Sequence, residues 1–228
     1  MQAPFNALRP SLCVAVLMIL TTTAFSAVAA DRVTGKPFAT RSEVMAPNAM
    51  AATSHPLATQ VALQIMRDGG NAIDAAIAAN AALGLMEPTG NGIGGDLFAI
   101  VWDAESQRLY GLNASGRSPR SLTRDWFEEN GYTSIPPYGP LPVSVPGAVD
   151  GWFELHGRFG NLPMTDILAP AVRYAREGHP VHETIQYYWA KSVDLLSCYP
   201  GFFEQMTVYG LAPRKGELWN NPKLSNTL

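Results

Sequence analysis

Apolar positions along the chain follow two different periods. Between Pro56 and Arg67, Leu57, Val61 and Ile65 recur every four residues, the stripe of a half-buried helix. Pro56 suits its first turn, and Gly69-Gly70 supplies the left-handed stop that helix ends favour. From Asn71 to about Leu85 the polar face disappears: Ala75, Ala76, Ala78, Ala79, Ala81 and Ala82 leave a thin apolar rod. A helix apolar all round is buried between layers or crosses a membrane, and a crossing needs about 20 apolar residues. The pattern therefore predicts a core helix pressed against a sheet. Asn71 can cap its free N–H groups, with Asp74 reaching back as in a capping box.

Beyond the glycine loop Pro88–Gly95, Leu97–Trp102 and Arg108–Leu112 read as a hairpin joined through Asp103–Gln107. A strand is predicted within Ser42–Ser54, with Met45, Ala49 and Ala51 on its packed face. Thr123–Asn130 reads as a short helix carrying Trp126 and Phe127. Gly131–Pro146 holds Pro136, Pro137, Pro140, Pro142 and Pro146, so it is a rigid extended loop packed on the surface. Helices follow at Gly147–Phe159, Met164–Glu177 and Thr184–Cys198, and Asn221 opens another.

Composition adds a compartment. Arg9, the apolar run Leu12–Leu20 and the small residues up to Ala30 form a secretory-signal pattern, so 1–30 is expected to be a signal peptide and 31–228 the folded part. That implies a periplasmic or secreted protein without stable membrane insertion. Only Cys198 would remain, which excludes an intrachain disulfide. Apolar residues make up 47% and charged residues 15%, a compact chain, and the net charge of −3 with no basic cluster argues against nucleic acid.

Candidate chemistry is thin. Gly90, Gly92 and Gly95 satisfy G-x-G-x-x-G, but that motif holds a dinucleotide only after a strand and before a helix, and here the order is reversed. The bland reading is that these glycines let a strand start in a crowded interior. His179-Pro-Val-His182 has no Cys or carboxylate at ligand spacing, so neither metal nor cofactor is expected, and His55, His156, His179 and His182 read as packing or surface residues. Ser54-His55 cannot act as nucleophile and base, because neighbours on a strand face opposite ways. Asp96 and Asp103 read as solvated strand ends. Asn113-Ala-Ser115 is formally a glycosylation sequon, a short pattern of low specificity.

A string of motifs goes further. Thr53-Ser-His-Pro-Leu-Ala58, Gly69-Gly-Asn-Ala-Ile-Asp-Ala-Ala76, Glu87-Pro88, Gly92-Ile-Gly-Gly95, Val145-Pro-Gly-Ala148, Gly160-Asn-Leu-Pro163 and Ala175-Arg-Glu-Gly178 occur in order. From Val44 to Leu228 the chain thereby resembles the gamma-glutamyltransferases, also called glutathione hydrolases. The resemblance implies an α+β fold, an incomplete αββα sandwich of the N-terminal-nucleophile hydrolase type. It also implies a precursor that cuts itself, exposing a Thr on a small subunit as nucleophile. No Thr-Thr-His or similar motif occurs here, so no catalytic residue is assigned. The chain is expected to be the N-terminal part of the large subunit, inactive alone. Its implied partners are that small subunit and a small gamma-glutamyl or related amide substrate. In glutathione-cleaving members an Arg four residues before a Pro grips the substrate carboxylate. Four before Pro119 is Ser115, so Arg117 is the candidate, two residues out of register. A solvated loop charge is the alternative for Arg117, and a divergent acylase or oxamate-type amidohydrolase, or a non-catalytic binding domain, the alternative for the whole.

Overall fold

His55 begins the helical part of the chain by capping it: its Nδ1 accepts a hydrogen bond from Leu57 N at 3.2 Å, and Pro56 follows at the first helical position. The computed structural model describes residues 43–228. Asn48–Leu228 form one compact unit, while 43–47 fall in a separate N-terminal one. The expected signal peptide, 1–30, lies outside the described residues.

Helix α1 (Pro56–Arg67) buries Ala58, Val61, Ala62 and Ile65, the predicted stripe with its alanine neighbours. Helix α2 (Ala72–Met86) starts with the predicted capping box: Asn71 Oδ1 accepts from Ile73 N and Asp74 N, and Asp74 accepts from Asn71 N at 3.0 Å. Buried residues run all round α2, from Ala75 and Ile77 to Leu85 and Met86. Its neighbours differ from the prediction, however. It packs chiefly against α1, α4 (Ala148–Phe159) and α5 (Met164–Glu177), and the hairpin is reached through α4. The small side chains serve close helix–helix approach more than contact with a sheet. Asn80, the one polar residue in the middle of the rod, accepts from Trp152 Nε1 at 2.8 Å.

The hairpin pairs β1 (Leu97–Asp103) antiparallel with β2 (Arg108–Ala114), Leu97 opposite Ala114 and Asp103 opposite Arg108. Leu97, Ala99, Val101 and Leu112 turn inward onto the core. Phe98, Ile100, Trp102 and Leu109 turn outward, each more than half exposed. The short helix α3 (Arg124–Glu129) is capped by Thr123, whose Oγ1 accepts from Trp126 N. A two-residue ladder, β3 (His179–Pro180) with β4 (Leu218–Trp219), brackets α6 (Glu183–Leu196) and α7 (Phe202–Met206), and Asn221 caps α8 (Pro222–Thr227).

The predicted strand within Ser42–Ser54 is absent: residues 43–54 form no strand, Met45 and Ala49 are exposed, and only Ala51 packs on the core. No strand among the described residues lies beside it to complete a ladder, and a strand without a partner is not stable as one. The α+β assignment holds, with a hairpin and its helical cover standing for one side of an αββα sandwich.

Candidate functional site

Four segments converge where β1 begins and β2 ends. The Leu97–Ala114 pairing brings Asp96 beside the turn Asn113–Pro119. The Asp96 carboxylate accepts from Gly116 N at 2.8 Å and from Ser144 Oγ at 3.2 Å. Gly95 O accepts from both Gly147 N and Ala148 N at 3.0 Å, and Arg117 O accepts from Val145 N at 2.9 Å. Asn113 Oδ1 tightens the turn by accepting from Ser115 N. Turn, strand entry and the approach to α4 are thus tied by backbone bonds.

This closeness needs glycine. A Cβ on Gly116 would lie 1.5 Å from Val145 O, and one on Gly147 would lie 2.2 Å from Ala114 O. By contrast, a Cβ on Gly90, Gly92 or Gly94 would meet nothing within 4 Å, so the fingerprint-like loop is not crowded as expected. Gly116 and Gly147, the crowded pair, stand at the same end of the hairpin, where β2 leaves and α4 begins. Asp96 is likewise more than a solvated strand end, since it carries the wall of the site, whereas Asp103 only closes the hairpin loop through Ser106 and Glu105.

Arg117 is exposed and enters no ion pair among the described residues, where only Arg124–Glu128 and Lys215–Glu183 pair. Its backbone is clamped while its side chain is exposed. Its neighbours Gly116 and Ser118 line a cleft of about 850 Å³ between the turn, α3 and the proline-rich loop, and Arg117 itself does not.

Ser54 and His55 diverge as expected: Ser54 Oγ donates to Glu87 Oε2 at 2.7 Å, and His55 turns inward. The structure does gather three histidines that spacing could not. The His55 ring lies 4.9 Å from His182 and 6.2 Å from His179. His55 and His179 are buried, and His55 Nε2 and His179 Nδ1 find no partner among the described residues. Burial, then the neighbouring His55, push His179 down to about 4; burial and His182 lower His55 against the pull of Glu87. His156 instead donates from Nε2 to Leu162 O at 2.7 Å, a packing role. No group of three His, Cys, Asp or Glu among the described residues could hold a metal ion.

Comparison with known proteins supplies the context. The family model described as Gamma-glutamyltranspeptidase matches residues 58–228. The Glutathione hydrolase-like YwrD proenzyme of Bacillus subtilis is 35% identical over 81% of this chain and 35% of its own. The Oxamate amidohydrolase proenzyme of Klebsiella pneumoniae is 38% identical over 78% of this chain and 34% of its own. Among solved structures, the cephalosporin acylase from Bacillus halodurans superposes with a TM-score of 0.78 at 46% identity, over 86% of this chain and 38% of that one. The gamma-glutamyltranspeptidase of Helicobacter pylori gives 0.76 at 25% identity, over 82% of this chain and 54% of that one. The chain spans about a third of the length of these curated relatives.

Proposed function

Since this chain belongs to the gamma-glutamyltranspeptidase family, we propose that it forms part of an exported, self-processing amide hydrolase or acyl transferase. The nucleophile is then a Thr outside these residues, at the N-terminus of a small subunit. Its Oγ attacks the amide carbonyl carbon while its own α-amino group takes the hydroxyl proton and passes it to the leaving amine. Water or an acceptor amine next attacks the acyl-enzyme, releases the acyl group and restores the Thr. The present residues orient the acyl donor, with the turn Asn113–Pro119 as one wall of its pocket and Arg117 as the carboxylate ligand.

The observation that carries this reading is the clamp on the turn. The carbonyl of Arg117 is held by Val145 N, and Gly116 N by Asp96, so the guanidinium is mounted on fixed backbone yet enters no ion pair among the described residues. A planar guanidinium matches a carboxylate with two parallel hydrogen bonds. In the full-length processed protein, Arg117→Ala is expected to raise KM for a gamma-glutamyl anilide at least tenfold, about 1.4 kcal/mol. Arg117→Lys should fall between the two, and an unchanged KM in the alanine variant would remove Arg117 from substrate binding.

The out-of-register Arg117, with the 46% identity to a cephalosporin acylase, favours an acylase-like amide specificity over strict glutathione cleavage. Turnover of glutathione against simple acyl amides by the full-length protein distinguishes the two. Export rests on the 1–30 leader pattern. Mass spectrometry of the protein recovered from cells should find a new N-terminus near residue 30 or 31, and an intact Met1 would overturn it.

A further inference from the structure

We propose that the cleft beside the turn is a binding site for an uncharged apolar group, aryl or branched alkyl, on the acyl side of the amide substrate; this rests on reading the turn as a wall of the acyl pocket. Its wall is dominated by Pro119, Leu122, Phe127, Ile135, Leu141 and Val143. The only charged residues on the lining, Arg124 and Glu128, pair with each other at 2.7 Å across one helical turn. The lining therefore offers no unpaired charge to the ammonium and carboxylate of a free glutamyl group, while apolar surface in a concavity favours an apolar guest.

The cleft is also built rather than incidental. Phe127 and Tyr132 on the lining form a mutual aromatic cluster with Trp126, the Trp126 and Tyr132 rings stacked 6.2 Å apart and 15° from parallel. Tyr132 N donates to Phe127 O at 2.9 Å, which folds the chain back onto α3. The opposite wall is stiffened by Pro140 and Pro142 and fastened at Ser144 to Asp96, the residue that also holds Gly116. One carboxylate thus sets both the turn that bears Arg117 and the wall of the cleft. A donor with its carboxylate or carbonyl at Arg117 can lay an apolar body alongside without a new arrangement of backbone. The volume, about 850 Å³, is ample for an aromatic ring with its linker.

Binding, read apart from turnover, tests this. Phenylacetamide and acetamide are titrated against the full-length protein, followed by ligand-observed NMR at times short against turnover. Phenylacetamide should bind at least tenfold more tightly than acetamide. Ile135, which is 59% exposed and so dispensable for folding, supplies the variant. Ile135→Glu should weaken phenylacetamide fivefold or more and leave acetamide unchanged, Ser134→Trp should act in the same direction by filling the cleft, and Arg117→Ala should preserve the ratio. Equal affinities for the two amides, or a preference indifferent to both cleft variants, would overturn the proposal. A protein that discriminates yet hydrolyses no amide overturns the hydrolase reading and leaves the apolar cleft standing.

Discussion

His179 shows what single residues do in this molecule. It sits at the start of β3 with its ring 1% exposed and Nδ1 unpartnered, facing the His55 ring on one side and the Trp219 backbone on the other. Around the same cluster stand His182 and Glu87. A buried imidazole with no acceptor to share its second proton stays neutral. Its folded pKa, about 4, lies below the ordinary 6.5, so the unfolded chain binds more protons between these values. The associated stability is complete above pH 6.5 and is lost as pH falls toward 4, on the order of 3 kcal/mol in all. The urea midpoint should therefore drop between pH 7 and pH 4.5, and His179→Phe should flatten that drop. A midpoint profile identical in the two proteins would show that His179 does not carry the effect. Reading residues one at a time left His179 as a packing or surface residue, and its burial makes it packing. The cluster itself was illegible because His55 and His179 are separated by more than a hundred positions and meet only in the folded chain.

Elements were far more legible. Helices α1, α2, α3, α4, α5, α6 and the hairpin fall within a residue or two of their predicted bounds, since each has its own period and its own end signals. What local pattern could not show is how one cap serves two elements. Asp74, fully buried, accepts from Asn71 N within the capping box and also from Asn161 N and Leu162 N, which follow α4. Asn71 Nδ2 in turn donates to Phe159 O. The Asn71–Asp74 pair therefore caps α2 and fastens the α4–α5 joint at once. Asp74→Ala leaves several buried N–H groups without acceptors and should cost about 2–5 kcal/mol in urea unfolding. Asp68→Ala, which removes only an exposed contact to Gln64, should cost under about 0.5 kcal/mol. Similar losses for both would show that the joint does not depend on Asp74. The missing strand before Ser54 marks the opposite limit: period alone cannot create a ladder where no neighbouring strand is present.

At the scale of the whole molecule the hairpin is two-faced. Its inner face packs on the core with Leu97, Ala99, Val101 and Leu112, and its outer face shows Phe98, Ile100, Trp102 and Leu109 to solvent. Antiparallel sheets can have one wet face, but a wet face is ordinarily polar. An apolar outer face suits a sheet covered by a second sheet, the inner layers of an αββα sandwich. The chain spans about a third of its curated relatives, and its own residues supply the helical cover and one hairpin of that architecture.

The sequence by itself determined which segments are helices, how α2 is capped, which strands form the hairpin, and, through motifs in a fixed order, the family. Those are local or cumulative properties: periodicity, end signals and residue identity suffice for them. Only the tertiary structure decided that Asp96 reaches across 48 positions to Ser144, that Gly116 and Gly147 are crowded where the Gly90–Gly94 glycines are not, and that a neutral apolar cleft opens beside Arg117. Each depends on where two distant backbones come within van der Waals contact. That is settled by packing the rod α2 among α1, α4 and α5 and seating the hairpin on α4, and no window along the chain contains it.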